Sequence, residues 1–115
     1  MIIRLHDHFG VSCMSAEDGE KLYALLQPIL KNDESVVLDF TGVRFFLTLF
    51  FNASLAKLAQ DLGTEFVRSH ITVEALASTA THHIDRAFRL GARMADDETY
   101  RGQVIELANR PLVSA

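Results

Sequence analysis

The chain is short of the residues that would place it in several common classes. It has one cysteine, Cys13, so no internal disulfide can form and a reducing, cytoplasmic setting is expected. Basic residues are the minority, 11 Lys and Arg against 15 Asp and Glu, for a net charge of −4. That balance speaks against a general nucleic-acid binder and leaves room only for a local basic face. Six glycines and two prolines among 115 residues, with no linker and no low-complexity tract, argue against disorder. No apolar run approaches the ~20 residues of a membrane span. The opening MIIRLHDHFG has no charged segment followed by a long apolar stretch, so no signal peptide is expected. No glycine-rich phosphate loop is present either.

What is there suits one domain with an ordinary core: 49% hydrophobic and 23% charged residues. Ile2 to Leu5 reads as a short strand, Phe9-Gly10 as a bend and Val11 to Met14 as a second strand. Ser15, with Asp18 three residues on, resembles a capping box. It opens a helix whose Leu22, Leu25, Leu26 and Ile29 share a face, ended by Asn32-Asp33. Val36 to Phe40 carries too little polarity for a sheet edge and predicts a central strand, with Thr41-Gly42 as its turn. A second helix is predicted from Thr48 to Leu62, stopped at Gly63, and Ile71 and Val73 suggest another strand. Thr81 to Met94 predicts a third helix with Ile84, Ala87, Phe88 and Gly91 inward. Asp96-Asp97 can start a fourth, carrying Tyr100, Val104, Leu107 and Ala108 as far as Pro111. Strands alternating with helices imply an α/β domain with parallel pairings.

The stretch 45-FFLTLFFN-52 is richer in large apolar groups than a helix start requires. At about 100° per residue, Phe51, Leu55, Leu58 and Leu62 form the core stripe, with Ala59 at its margin. Phe50 falls with Ser54, Lys57 and Asp61 on the solvated side, and Leu49 also lies off the stripe. These groups either pack under a neighbouring segment or form an exposed apolar patch of the kind that marks a partner site. Thr48 can cap the helix. A phosphoryl group on it would meet the N–H donors and positive end of the helix, placing ~1.5–2 negative charges amid the apolar groups.

VVLDFTGVRFFLTLFFNASLAKL resembles the strand, loop and helix at the heart of STAS domains, named from sulfate transporters and anti-sigma-factor antagonists. The chain is identified as a member of a bacterial STAS-like family of unknown function through that segment together with MIIRLHDHFG, SAEDGEKLYALLQPIL, EFVRSH and DDETYRGQVIEL. The resemblance covers residues 1–110 and leaves 111–115 as a tail. It implies a single domain with a mixed sheet of about four strands and three to four helices packed on it. In anti-sigma-factor antagonists the loop before this helix carries an Asp-Ser-Ser-Gly type sequence, one serine of which a partner kinase phosphorylates. Here Leu47-Thr48-Leu49-Phe50 stands in that place, with Leu49 at the phosphorylated position. The STAS-like family has a small hydroxyl residue and then proline before Phe-Phe-Asn; Thr48 keeps the hydroxyl and Leu49 replaces the proline. The interface carries over better than the chemistry.

Other constellations are weaker. His6, Asp7 and His8, with His82 and His83, lack a recognised metal-ligand spacing, so no metal and no cofactor is expected. His82, Arg86, Arg89 and Arg93 share one sector of the third helix, either a solvated face or a secondary docking face for an acidic protein surface. Asp39 reads more simply as an end-of-strand acid bonded to the Thr41-Gly42 turn than as a general base. Cys13 has no cationic neighbour to activate it. The expectation is therefore a non-enzymatic, regulatory protein–protein interaction module that docks through Thr48, Leu49, Phe50 and Asn52, with Thr48 as the helix cap and a candidate phosphorylation site. The resemblance implies a signalling partner such as a histidine-kinase-like ATPase. The alternatives are a sensor of a nucleotide or anion at the same helix start, and self-association through Leu49 and Phe50.

Overall fold

The computed structural model describes residues 1–96. The predicted fourth helix and the tail lie outside the described residues. A short strand β1 (Ile2–Arg4) runs directly into a one-turn helix α1 (Leu5–Phe9). A two-residue strand β2 (Ser12–Cys13) then leads to α2 (Ala16–Lys31). Ser15 caps α2 as predicted, its hydroxyl accepting the Asp18 N–H at 3.0 Å. The buried stripe of α2 is Gly19, Leu22, Leu26 and Leu30, while Leu25, predicted inward, keeps over a third of its surface exposed. Pro28 sits on an exposed position of the last turns, where the carbonyl it leaves unbonded can be hydrated.

Strand β3 (Val36–Asp39) is central, as its apolar run predicted. It pairs in parallel with β1, Ile3 opposite Leu38, and with β5 (Ile71–Glu74), Leu38 opposite Val73. A separate parallel pair joins β2 to β4 (Phe45–Phe46), Ser12 opposite Phe45 and Cys13 opposite Phe46. The α/β class expected from the sequence holds. The strands divide into a three-stranded sheet and a two-stranded ladder, and every described pairing is parallel.

The helix over 48–62 occupies the predicted span and stops at Gly63, whose φ of +93° suits glycine. It has three parts: α3 (Thr48–Phe51), a π-helical turn (Asn52–Ala56) and α4 (Lys57–Leu62). It lies between α2 and α6 (Thr81–Asp96), and both partners approach through a glycine. A Cβ on Gly19 would stand 2.4 Å from the Phe50 carbonyl oxygen, and one on Gly91 would stand 2.4 Å from that of Ala56. Between α4 and β5 the sequence reading had only a gap; a further helix α5 (Thr64–His70) fills it. One core joins Ile3, Val36 and Leu38 of the sheet to Leu22, Leu26, Phe50, Phe51, Leu55 and Leu58 of the helices. On α6, Ala87, Phe88 and Gly91 are buried and Ile84 packs against the core, the predicted inner face.

Candidate functional site

Within residues 45–52 the backbone decides which apolar groups are spare. In β4 successive side chains point to opposite faces. Phe46 turns inward beside Phe40 and Phe51, with ring centroids 5.9 and 6.1 Å away, while Phe45 stays 54% exposed. The Leu47 N–H bonds the Cys13 carbonyl at 3.1 Å, which carries the ladder one step further and sends Leu47 out on the Phe45 side. Met14, just past the end of β2, is also exposed. Leu49, in the first turn of α3, is 58% exposed. Met14, Phe45, Leu47 and Leu49 are thus all exposed in or beside the segments that lead into the helix start, Met14 and Phe45 lining one depression.

Phe50 does not belong with them. It is fully buried, edge-on to Phe9 at 5.6 Å and to Phe51 at 5.3 Å, so its predicted place on the solvated side is corrected. The π-helical turn explains the error. Its i→i+5 bonding inserts one residue into the helix and displaces everything before it by one position, about 100° of rotation. Phe50 is thereby brought into the phase of Leu55 and Leu58, and α2 closes over the side where Ser54 lies. Ser54 is also buried, its hydroxyl donating to the Phe50 carbonyl at 2.9 Å.

Thr48 is corrected in its local role as well. The N-cap is Leu47, with no side-chain cap bond, and Thr48 is the first helical residue. Its half-buried hydroxyl is 3.1 Å from Nδ1 of His83 on α6. The His83 ring stacks on Phe51 at 5.4 Å with 6° between planes. Burial, reinforced by the neighbouring His82 and Arg86, holds its pKa below the ordinary value, so the imidazole is uncharged at neutral pH. Asn52 is half-buried at the start of the π-helical turn. Arg86, Arg89 and Arg93 all lie exposed on α6, with His82 exposed beside them.

The remaining reactive groups are held quiet. Asp39 accepts from the Thr41 hydroxyl at 2.6 Å and the Thr41 N–H at 2.9 Å, and these bonds hold its carboxyl below the usual range. That is the turn-bonded acid expected from the sequence. Burial, with Asp18 nearby, pushes the Cys13 thiol up to about 12, far from thiolate chemistry at neutral pH. Tyr23 donates to Asp61, and that bond, with some burial, pushes the phenol up to about 12. His6, Asp7 and His8 fall on α1 and are exposed. Among the described residues no three His, Cys, Asp or Glu side chains gather as a metal set. No described helix is long and apolar enough to cross a membrane.

Sequence reasoning missed Phe45, Leu47, Met14 and His83. Phe45, Phe46 and Leu47 are all large and apolar, so no polarity pattern in the sequence separates the outward pair from the inward residue. His83 meets Thr48 across 35 positions, which no local pattern announces. Residues 18–80, over half of the chain, match the family described as a STAS-like domain of unknown function (DUF4325). The match takes in all but the first two residues of α2, the strands β3, β4 and β5 and the whole 48–62 helix, and it stops before α6. No curated protein and no solved structure matches the chain.

Proposed function

The chain belongs to this STAS-like family, and we propose that it is a regulatory module that binds a partner protein through Met14, Phe45, Leu47 and Leu49. The observation that carries the reading is that four large apolar side chains in or beside the segments leading into one helix start are exposed. Single exposed leucines are ordinary; a contiguous group rimmed by polar residues is the mark of a contact surface. Full burial of such a side chain from full exposure is worth roughly 1.5–3 kcal/mol, and about half of that remains to be gained at each of these, so covering several of them separates a specific complex from chance contact. The proposed partner is a signalling protein of the bacterial cytoplasm such as a histidine-kinase-like ATPase, by the resemblance to anti-sigma-factor antagonists. Catalysis forms no part of the reading: Asp39 and Cys13 are bonded or buried in unreactive states.

Thr48 has a place in this scheme as a switch. It stands between Leu47 and Leu49, and a phosphoryl group there would displace the bond to His83 and put charge beside these exposed apolar groups. Asn52, only half-buried, supplies a polar contact at the margin.

The test is direct. A partner captured from native lysate is identified, purified and titrated against the wild type, Leu49→Asp and Leu25→Asp, the last an exposed leucine on α2. Leu49→Asp is expected to weaken binding by about tenfold or more, about 1.4 kcal/mol, with Leu25→Asp unchanged. Equal affinity for all three proteins would remove the helix start as the docking surface.

A further inference from the structure

Between the β2–β4 ladder and the start of α6 lies an open depression of about 300 Å³. Met14, Arg44, Phe45 and Phe46 line it from the ladder side, Thr79 and His83 from the α6 side. Its size is at the lower end of small-molecule sites, which combine apolar walls with a few convergent polar groups. The aromatic residues Phe45 and Phe46 supply the apolar part, and Phe45 keeps more than half of its surface open. Arg44 has no ion-pair or hydrogen-bond partner among the described residues. Its forked guanidinium is suited to two parallel bonds with a carboxylate. His83 has Nδ1 engaged by Thr48. With Thr48 donating, the ring proton sits on Nε2, which is then a donor for an acceptor oxygen.

We infer that this depression binds a small free carboxylate with a flat apolar body, the carboxylate on Arg44 and the body against Phe45. Charge decides against a nucleoside di- or triphosphate. The lining carries one full positive charge, on Arg44, because His83 is held neutral. A polyphosphate would leave most of its charge unmatched, whereas a monoanion is matched one to one. Thr48 is a positioning residue for this site, since it orients the His83 ring without lining the depression itself. The depression shares Met14 and Phe45 with the proposed docking surface, but its test needs no partner.

The experiment is an amide chemical-shift titration of the whole chain with benzoate, benzamide and inorganic phosphate as probes. Benzoate is expected to give saturable shifts at Phe45, Phe46, Ala80 and His83, and to bind more tightly than benzamide or phosphate. Arg44→Gln should weaken benzoate by about tenfold or more, the scale of a lost charge-assisted bond, and Lys31→Gln should leave it unchanged. The spectrum of each variant reports whether it is folded. Thr48→Val should lower benzoate affinity and shift the His83 ring resonances, with the Arg44 contribution retained. Absence of saturable shifts up to the solubility limit of benzoate overturns the site. Equal binding of benzamide or phosphate, or undiminished binding by folded Arg44→Gln, overturns the carboxylate assignment.

Discussion

Leu49 and Phe50 are neighbours in the chain, similar in apolar character, and opposite in fate: one is 58% exposed, the other has no exposure. The contrast extends along the helix. In its middle, α2 and α6 press in through Gly19 and Gly91 until backbone meets backbone, and Phe50, Phe51, Ser54, Leu55 and Ala56 all disappear from solvent. At its start nothing described covers Leu47 or Leu49. The helix has no single buried face that its own periodicity could reveal, because segments far away in sequence choose what is covered. A helix enclosed on several sides tolerates apolar groups all round, and only the uncovered end turns them into a surface.

The comparison is broken most severely at Phe50. Phe50→Ala should cost about 3–5 kcal/mol in urea unfolding, whereas Leu49→Ala should stay within about 0.5 kcal/mol of the wild type. Similar losses for the two would mean that the first turn is covered after all. The glycine contacts come next. Alanine is the better helix former by roughly 0.5–1 kcal/mol, so propensity alone would make Gly91→Ala stabilising. The 2.4 Å approach to the Ala56 carbonyl outweighs that gain, since backbone cannot rotate aside. A net loss of about 1–3 kcal/mol is expected, and a rise in the unfolding midpoint would show that α6 can stand off from the helix.

The smallest effect belongs to a tie remote from the 48–62 helix. His70 at the end of α5 bonds the Phe66 carbonyl through Nδ1 at 2.8 Å and Asp33 through Nε2 at 2.6 Å. The backbone bond first, and Asp33 second, raise its pKa above the ordinary 6.5. A raised folded-state pKa means that the protonated ring favours the fold. The stability difference between wild type and His70→Gln should therefore be fully present below pH 6.5 and fade as pH rises through the raised value. Asp33 is 82% exposed, so the difference is modest, and one that grows with pH would reverse the assignment.

Much of the frame was legible in the sequence because it is locally encoded. The apolar run of β3 marked a central strand, Gly63 marked the helix stop, and Asp39 with Thr41-Gly42 marked its own turn. The candidate surface was legible only in part. Leu49 was placed outward correctly, but Phe50 was assigned to solvent on a wheel that assumed unbroken α-helix. Strand β4 is two residues long, too short for a period to establish itself, so Phe45 and Leu47 were not separated from Phe46. Helix α5 went unseen since Thr64 to His70 has only Phe66 and Val67 as large apolar residues. The contact of Thr48 with His83 depends on where α6 docks, which only tertiary packing determines.

The π-helical turn also has a bearing on how this protein can change by insertion and deletion. Removing one residue from 52–56 would let the helix close as regular α-helix with little loss of backbone bonding. Orientation would survive as well. Phe50 and Leu49 would keep their bearings relative to Leu58 and Ala59, because the π-helical turn advances the chain by about the same angle as regular α-helix with one residue fewer. Outside a turn that already holds a surplus residue, a single lost codon would turn everything before it by about 100°. The π-helical turn is thus a place where this helix can give up a residue while its apolar start still faces outward and the phenylalanines beneath it face in.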